Sequence, residues 1–237
     1  MWLCNSSIGR KVIMSVTGLA LILFLTFHGC MNVVALFSKE AYNQICELLG
    51  SNWYAIAATC VLGALVVIHI VFALILTIQN RKARGSNRYD QTDKPASVEW
   101  ASQNMFALGV IICLGLLLHL KDFWYNMMFA EIVGMENAIA PTDGFEWIKF
   151  TFSNPIFVVL YVIWIAAIWF HLTHGIWSSM QTLGVSGHVW FNRWKCISQI
   201  WATIVMAMFL IVCLAFAFCP DYLGGMSGRV VPFEMAF

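Results

Sequence analysis

The stretch IFVVLYVIWIAAIWFHLTHGIWSSM, Ile156–Met180, contains no Asp, Glu, Lys or Arg. A transmembrane α-helix needs about 20 consecutive apolar residues, so this stretch predicts a helix that crosses a lipid bilayer. It also contains two histidines, His171 and His174, at positions where only apolar side chains are expected. An ionisable residue inside a membrane span is energetically costly, so both histidines are candidate functional residues.

The composition of the whole chain is typical of a membrane protein. Of its 237 residues, 61% are hydrophobic and only 11% are charged, and the mean hydropathy is +0.79. Soluble domains carry about 25% charged residues. The first apolar run is too long for a cleaved signal peptide. We therefore predict an all-α integral membrane protein, one domain over residues 1–237, with five transmembrane helices at about Val12–Leu36, Tyr54–Ile78, Asn104–Met128, Ile156–Met180 and Cys196–Phe218.

The distribution of basic residues predicts the orientation. Nine Lys and Arg residues lie before the first span, between the second and third, or between the fourth and fifth, and only four lie on the other side. Because basic loops stay in the cytoplasm, the N-terminus is predicted inside and the C-terminus outside. The formal net charge of +1 gives no indication of nucleic-acid binding.

Four of the six histidines lie at two predicted depths. His28 and His119 are eight and nine residues from the outer ends of their spans, whereas His69 and His171 are each nine residues from the inner ends. At about 1.5 Å per residue, the two levels are roughly 9 Å apart. We call His28 and His119 the outer pair, and His69 and His171 the inner pair.

Two pairs at two levels favour two haems over a single metal ion. A tetrahedral zinc site would need all four ligands at one level, whereas haem iron takes two axial ligands from opposite faces of a flat macrocycle. Helix bundles hold such cofactors between facing helices. The eight cysteines form no C-x-x-C-H motif, so covalent attachment is not expected. We predict that the first four helices form a haem-binding bundle, in which each pair ligates the iron of one non-covalent b haem.

The other polar residues near the inner end have less specific interpretations. His171 rather than His174 is assigned to iron because His171 matches His69 in depth. His174 lies one turn nearer the cytoplasm and is expected to be structural, while His188 is expected in a solvated loop. Haem propionates need basic or hydrogen-bonding partners, although basic residues at this end also follow from the orientation rule. The candidates are Ser15, Gln181, Arg10, Lys11 and Arg81.

Two segments give the chain a resemblance to a known family. They are SIGRKVIMSVTGLALILFLTFH, Ser7–His28, and FHLTHGIWSSMQTLG, Phe170–Gly184. Together with the histidine in each of four spans, they resemble the single-chain, five-helix, di-haem cytochrome b anchor of succinate dehydrogenase and quinol:fumarate reductase. A ligand histidine of that family stands four residues before a glycine, as His171 does here. The family's four ligand positions fall on His28, His69, His119 and His171.

The resemblance implies the partners and the reaction. A flavoprotein with FAD and an iron–sulfur protein would dock on the cytoplasmic face of a bacterial inner membrane, and two such heterotrimers can pair as a dimer. The basic connection Arg81–Lys94 is the expected contact surface. The chain would pass electrons between its haems and a membrane quinone, menaquinone or menaquinol, as an electron-transfer subunit of an oxidoreductase in respiration. The dicarboxylate chemistry would occur on the flavoprotein.

In related anchors the quinone reacts near the outer haem, where an acid takes the proton. The counterpart here is SKEAYNQICELLG, Ser38–Gly50, in which Glu47 is the first candidate for the catalytic acid and Glu40 the second. Quinol oxidation releases protons, so a nearby carboxylate is useful. The alternative is that both acids are simply solvated on a short surface helix.

Two other functions are compatible with the histidine pattern. The chain could be the di-haem cytochrome b of another membrane dehydrogenase, such as a hydrogenase or a formate dehydrogenase. It could also be a transporter or channel whose histidines relay protons, which predicts a colourless protein. A zinc hydrolase is disfavoured because no H-E-x-x-H motif occurs.

Overall fold

Five helices are long and apolar enough to cross a membrane in the computed structural model, which describes residues 6–84 and 99–224. Within those residues there is no β-strand. The prediction of an all-α chain with five helices of membrane-spanning length and apolarity is confirmed for these residues. The long helices are α1 (Ser7–Val33), α3 (Trp53–Arg84), α4 (Trp100–His119), α7 (Pro155–Thr182) and α8 (His188–Phe218), and the short ones are α2 (Lys39–Leu48), α5 (Ala130–Val133) and α6 (Gly144–Phe152).

The helices run past the apolar stretches that predict them, because the backbone hydrogen bonds of a helix do not stop where the hydrocarbon would end. The largest difference is in the fifth span, which begins at His188 rather than near Cys196. The expectation that His188 lies in a loop is therefore wrong: it is an exposed residue in the first turn of α8. The connection before it is short and turns at Gly184, whose φ of 78° suits glycine.

Polar side chains fix the starts of several helices. Ser6 accepts a hydrogen bond from the backbone N–H of Gly9 at the start of α1, and Asp143 does the same for Glu146 at the start of α6. Asn154 accepts from the backbone N–H of Ile156, with Pro155 in the first turn of α7. Such caps satisfy N–H groups that have no partner within the helix.

The third span changes its helical geometry immediately after His119. The α4 helix ends at that residue, and Leu120–Phe129 continues as a π-helix before the single α-helical turn of α5. In a π-helix the hydrogen bonds join residues five apart, and such segments are rare and often mark functional sites. The Asn126 side chain donates to the backbone oxygens of Lys121 and Asp122, so the wider turns keep polar partners.

The packed core involves three of the long helices more than the others. The most extensive packing is between α7 and α8, and α1 packs against both of them, whereas α4 packs along α7. The α3 helix makes its only extensive helix contact with α1 among the described residues. The fifth span therefore belongs to the core, while α3 leaves open the faces toward α4 and α7. The expected bundle of four is not closed on that side.

The end of the bundle that is predicted to face outward is covered by α2 and α6. Lys39 Nζ lies 2.6 Å from Glu146 Oε1 and 3.4 Å from Asp143 Oδ2. Partial burial lowers the pKa of Lys39, but the two carboxylates outweigh this effect and hold the pKa above its ordinary value. The Asn43 side chain donates to Asp143 Oδ1 at 2.8 Å and accepts from the backbone N–H of Phe145 at 3.0 Å. These contacts tie α2 to α6.

Candidate functional site

The outer pair comes together between helices that otherwise do not pack extensively. The ring centroids of His28, on α1, and His119, at the end of α4, are 5.9 Å apart with an interplanar angle of 78°. No extensive backbone contact joins these two helices in the described part of the chain. The Asn32 side chain donates to the backbone oxygen of His28 at 2.8 Å and accepts from the Tyr42 hydroxyl of α2 at 3.2 Å. The outer pair is therefore connected to the covering helices.

Aromatic rings surround the outer pair. Phe24 stacks on His28 at 5.4 Å, with an angle of 12° between the rings, and Phe209 of α8 lies 5.5 Å from the same imidazole. Around His119, the rings of Phe123, Trp164 and Tyr161 have centroids at 5.2, 5.5 and 6.3 Å. Apolar surroundings of this kind suit a flat hydrophobic cofactor and exclude water.

The inner pair is held by hydrogen bonding to α1. The ring centroids of His69, on α3, and His171, on α7, are 6.3 Å apart with an interplanar angle of 71°. Thr17 Oγ1 lies 3.1 Å from His69 Nδ1 and donates its single hydrogen to the backbone oxygen of Ile13 at 2.8 Å. We assign the His69 proton to Nδ1, where it would donate to Thr17 Oγ1 and leave the lone pair of the other ring nitrogen available for a metal.

Glycine allows this close approach of α3 to α1. A Cβ atom at Gly18 would lie 3.3 Å from His69 Cε1, which is tighter than ordinary van der Waals contact. The contacts also place the inner pair near Thr17, 11 residues before His28 on the same helix. The two sites are thus about 16 Å apart along α1. This distance is larger than the roughly 9 Å expected from the position of each histidine within its span. The expected value assumes that the spans all begin and end at the same two levels.

The geometry of both pairs fits two axial ligands on one iron. A bond from a metal to an imidazole nitrogen is about 2 Å long, so two opposed imidazoles on one iron have ring centres about 6 Å apart. Both imidazole planes can stand upright on the macrocycle whatever the angle between them. The described residues contain no cluster of three or more His, Cys, Asp or Glu side chains arranged for a metal ion. Each pair brings two imidazoles together, which is the number of axial ligands that one haem iron takes.

Three histidines have a ring nitrogen that is buried and has no hydrogen-bond partner among the described residues. They are His119, His171 and His174, in each case at Nδ1. Buried polar atoms in folded proteins nearly always have partners, so each exception requires an explanation. Because His174 belongs to neither pair, this property alone does not distinguish an iron ligand from a structural histidine, and the case for two ligand pairs rests on their spacing.

His174 belongs to a polar cluster beyond the inner pair. Its Nδ1 lies 3.6 Å from Glu99 Oε2, which is too long for a direct hydrogen bond, and its ring packs edge-on against Trp177. Lys195 Nζ lies 2.7 Å from Glu99 Oε1. Partial burial raises the pKa of Glu99, but the hydrogen bond and charge of Lys195 outweigh it and hold the pKa below its ordinary value. The cluster joins α4, α7 and α8.

The other predicted inner-end residues are dispersed. Ser15 is buried in α1, whereas Gln181 is exposed near the end of α7. The Arg81 guanidinium lies over the Phe106 ring at 4.9 Å, bridging α3 and α4 on the open side of the bundle. Lys11 is exposed and Arg10 is half-buried. Most of the predicted contact surface Arg81–Lys94 lies outside the described residues.

Glu47 and Glu40 line one shallow pocket at the end predicted to face outward. The pocket has a volume of about 320 Å³ and is lined by polar side chains and Ala140, with no aromatic ring. Both acids lie on α2 and are exposed. The structure thus brings the two candidates together on a short surface helix, in a setting where carboxylates are solvated.

A second cavity lies where the third and fourth spans approach the same end. It has a volume of about 350 Å³, and it contains the side chain of Asp122, which is 6% exposed. Asp122 Oδ2 accepts a hydrogen bond from the Tyr161 hydroxyl at 3.2 Å. Neither this pair nor Thr17 is among the functional residues that the sequence predicts. Asp122 carried a signal, because an acid within an apolar span is a functional candidate; Thr17 carried none.

Comparisons of the chain with protein-family models, with curated proteins and with solved structures found no significant match.

Proposed function

We propose that this chain binds two b-type haems, one between His28 and His119 and one between His69 and His171, and carries electrons across the membrane. The observation that supports this most is the matching geometry of the two pairs, at 5.9 and 6.3 Å between ring centroids. Each pair bridges two helices that make no extensive backbone contact with each other in the described residues.

The separation of the two sites suits a transmembrane relay. They lie about 16 Å apart along α1, and the hydrocarbon core of a bilayer is about 30 Å thick. Two sites at this separation can lie in opposite halves of the bilayer. Bound haem supplies iron that gains and loses one electron at a time. The chain's own contribution is to hold the imidazoles, fix the His69 tautomer through Thr17, and surround the outer site with aromatic rings.

We place this relay in a succinate:quinone oxidoreductase or quinol:fumarate reductase of a bacterial inner membrane. The chain would anchor an iron–sulfur protein and a flavoprotein with FAD on the cytoplasmic face and would exchange electrons with menaquinone. The proposal rests on the resemblance of Ser7–His28 and Phe170–Gly184 to that family, and on the basic residues at the predicted inner end. Ser15, Gln181 and Arg81 are proposed partners of the haem propionates. The resemblance makes Glu47, an exposed residue at the predicted outer end, a candidate acid for the protons that quinol oxidation releases.

Purification of the native complex from its own membranes tests the proposal. We expect a red preparation with a reduced b-type spectrum, two haems per chain, bound flavin and fumarate-reducing or succinate-oxidising activity. A colourless complex would contradict haem binding and favour a proton-relaying transporter. Two haems with a nickel or molybdenum partner would retain the relay but assign it to a hydrogenase or formate dehydrogenase.

A further inference from the structure

The cavity next to Asp122 combines the features that a quinone ring requires. Three aromatic side chains line it, those of Trp147, Phe150 and Phe157, and they provide flat surfaces for stacking. Thr151 adds a hydroxyl that can donate a hydrogen bond to a ring oxygen. The Asn126 amide nitrogen donates to two backbone oxygens, and its side-chain oxygen is the group that can accept from a ring hydroxyl. Sites for small molecules have volumes of about 300–1,000 Å³ and combine apolar walls with a few polar groups. The volume of about 350 Å³ is within this range.

Asp122 is a buried carboxylate whose surroundings hold it in place. Besides the Tyr161 hydroxyl, Lys121 Nζ contacts it, 3.3 Å from Oδ1. Two oxygens have about four acceptor positions, so a bound hydroxyl can find one that is not occupied. The π-helical segment Leu120–Phe129 carries this residue, and π-helices concentrate at functional sites.

The cavity is also connected to the outer histidine pair. Asp122 stands three residues after His119 on the same span. Its partner Tyr161 places its ring 6.3 Å from the His119 ring, and Phe123 lies 5.2 Å from His119 and 6.2 Å from Tyr161, measured between centroids. A single layer of aromatic side chains therefore separates the cavity from the proposed outer haem.

We propose that the Asp122 cavity binds the ring of a membrane quinol and that the Asp122 carboxylate accepts a proton from its hydroxyl group. This inference rests on the proposed function. Oxidation of one quinol breaks two O–H bonds and gives one quinone, two protons and two electrons. The two electrons would pass one at a time to the haem that His28 and His119 would hold. One proton goes to Asp122, and the other leaves through the open side of the cavity to water.

The pocket of Glu40 and Glu47 is less suited to the same ring. It contains three carboxylates, those two and Asp143, and offers no aromatic surface. A quinone ring is apolar on both faces, so its binding depends on burial against apolar or aromatic groups. Exposed carboxylates can carry protons away but give such a ring no apolar surface to bind.

The decisive variant is Asp122→Asn in the purified complex, since it keeps the shape and removes the proton acceptor. The rate at which a water-soluble naphthoquinol reduces the outer haem is followed by absorbance. We expect a fall of about 100-fold, in the range that general-base catalysis contributes, with two haems still bound. Asp221→Asn, at an exposed carboxylate just after the fifth span and at the same predicted outer end of the bundle, is the matched control. An Asp122→Asn rate within twofold of the wild-type rate, with both haems present, would overturn the inference.

A second variant keeps the test valid if Asp122→Asn fails to assemble. Phe150 lines the cavity but is 64% exposed, so Phe150→Ala should fold. Loss of one stacking surface should weaken equilibrium binding of a menaquinone analogue by about threefold to tenfold. Unchanged binding of the analogue by Phe150→Ala would contradict the inference. So would the result that Glu47→Gln abolishes quinol oxidation while Asp122→Asn oxidises quinol at the wild-type rate. A wild-type complex without haem would instead contradict the proposed function itself.

Discussion

The outer and inner histidine pairs have nearly the same spacing but are constructed differently. The outer pair is held mainly by packing, within a cage of rings from α1, α7, α8 and the third span: Phe24, Phe123, Tyr161, Trp164 and Phe209. The inner pair has Thr17 as a hydrogen-bond partner and Gly18 as a point of close approach. Burial and ligand hydrogen bonding both alter the potential of a haem. The comparison therefore predicts that different kinds of substitution will affect the two proposed haems.

The largest expected effect comes from removal of one histidine of each pair. His119→Ala should lose the outer haem and His171→Ala the inner one, because each iron would lose an axial ligand. The haem content should fall from two to one per chain in both variants, with different spectral and redox components missing. Loss of the same component from both variants would break the distinction between the two sites.

The next effect should be confined to the aromatic cage. A Cβ atom at Gly115 would overlap the Trp164 ring, which packs beside His119 and donates from Nε1 to the backbone oxygen of Ile112. Gly115→Ala should displace this ring and lower the stability of the protein by about 1–3 kcal/mol, as is typical of overpacking. We expect partial loss of the outer haem and full retention of the inner haem, measured by haem content and redox titration.

Gly63→Ala is the matched control for that variant, because nothing lies within 4 Å of the added methyl group in α3. It should leave both haems unchanged. Equal losses in the two glycine variants would show that helix composition, rather than the cage around His119, controls the outer site.

A smaller effect should distinguish the hydrogen-bonded inner site. Thr17→Val keeps the side-chain shape but removes the acceptor for His69 Nδ1–H. A histidine that donates this bond is a more basic ligand, so the variant should raise the inner potential by about 20–60 mV, the equivalent of one hydrogen bond. Thr26→Val, on the same helix but bonded to Trp201, is the control. A shift of the outer potential alone would contradict the assignment.

The smallest effect concerns the polar cluster beyond the inner pair. The pKa of Glu99 is lowered in the folded protein, so its contribution to stability is complete above the ordinary value near 4.5 and is lost as the pH falls through the lowered value. Glu99→Gln should lower the free energy of unfolding at pH 7 by less than about 1 kcal/mol, as expected for a partly exposed ion pair, and should therefore lower the Tm slightly.

The difference between Glu99→Gln and wild-type protein should disappear in strongly acidic solution, measured by thermal unfolding at pH 7 and below pH 4. Glu136→Gln, an exposed carboxylate elsewhere in the chain, is the control and should show no such dependence. A difference that persists unchanged in acid would show that the Glu99 charge is not responsible.

Prediction from sequence succeeded for features that depend on one segment of the chain at a time. Apolar length specified five spans, and the distance of each histidine from its span ends indicated which rings would meet. It could not assign Asp122, because an acid near a span end is usually solvated and only the packing of α7 shows that Tyr161 covers it. It did not foresee that α8 joins the core while α3 stays apart. The α3 span is the most apolar of the five, but the α8 span comes next, so apolarity alone does not separate a helix in the core from one at the edge.

The sequence by itself determined that this chain has five apolar helices and that four of them carry a histidine within the span. Those properties depend on local hydrophobicity and on helical rise, which are read along one segment at a time. Only the tertiary structure decided which helices pack and which remain apart, that Thr17 lies within hydrogen-bond distance of His69, and which acid lies beside aromatic rings. These depend on contacts between residues that are distant in the chain, such as Thr17 with His69 and Asp122 with Tyr161.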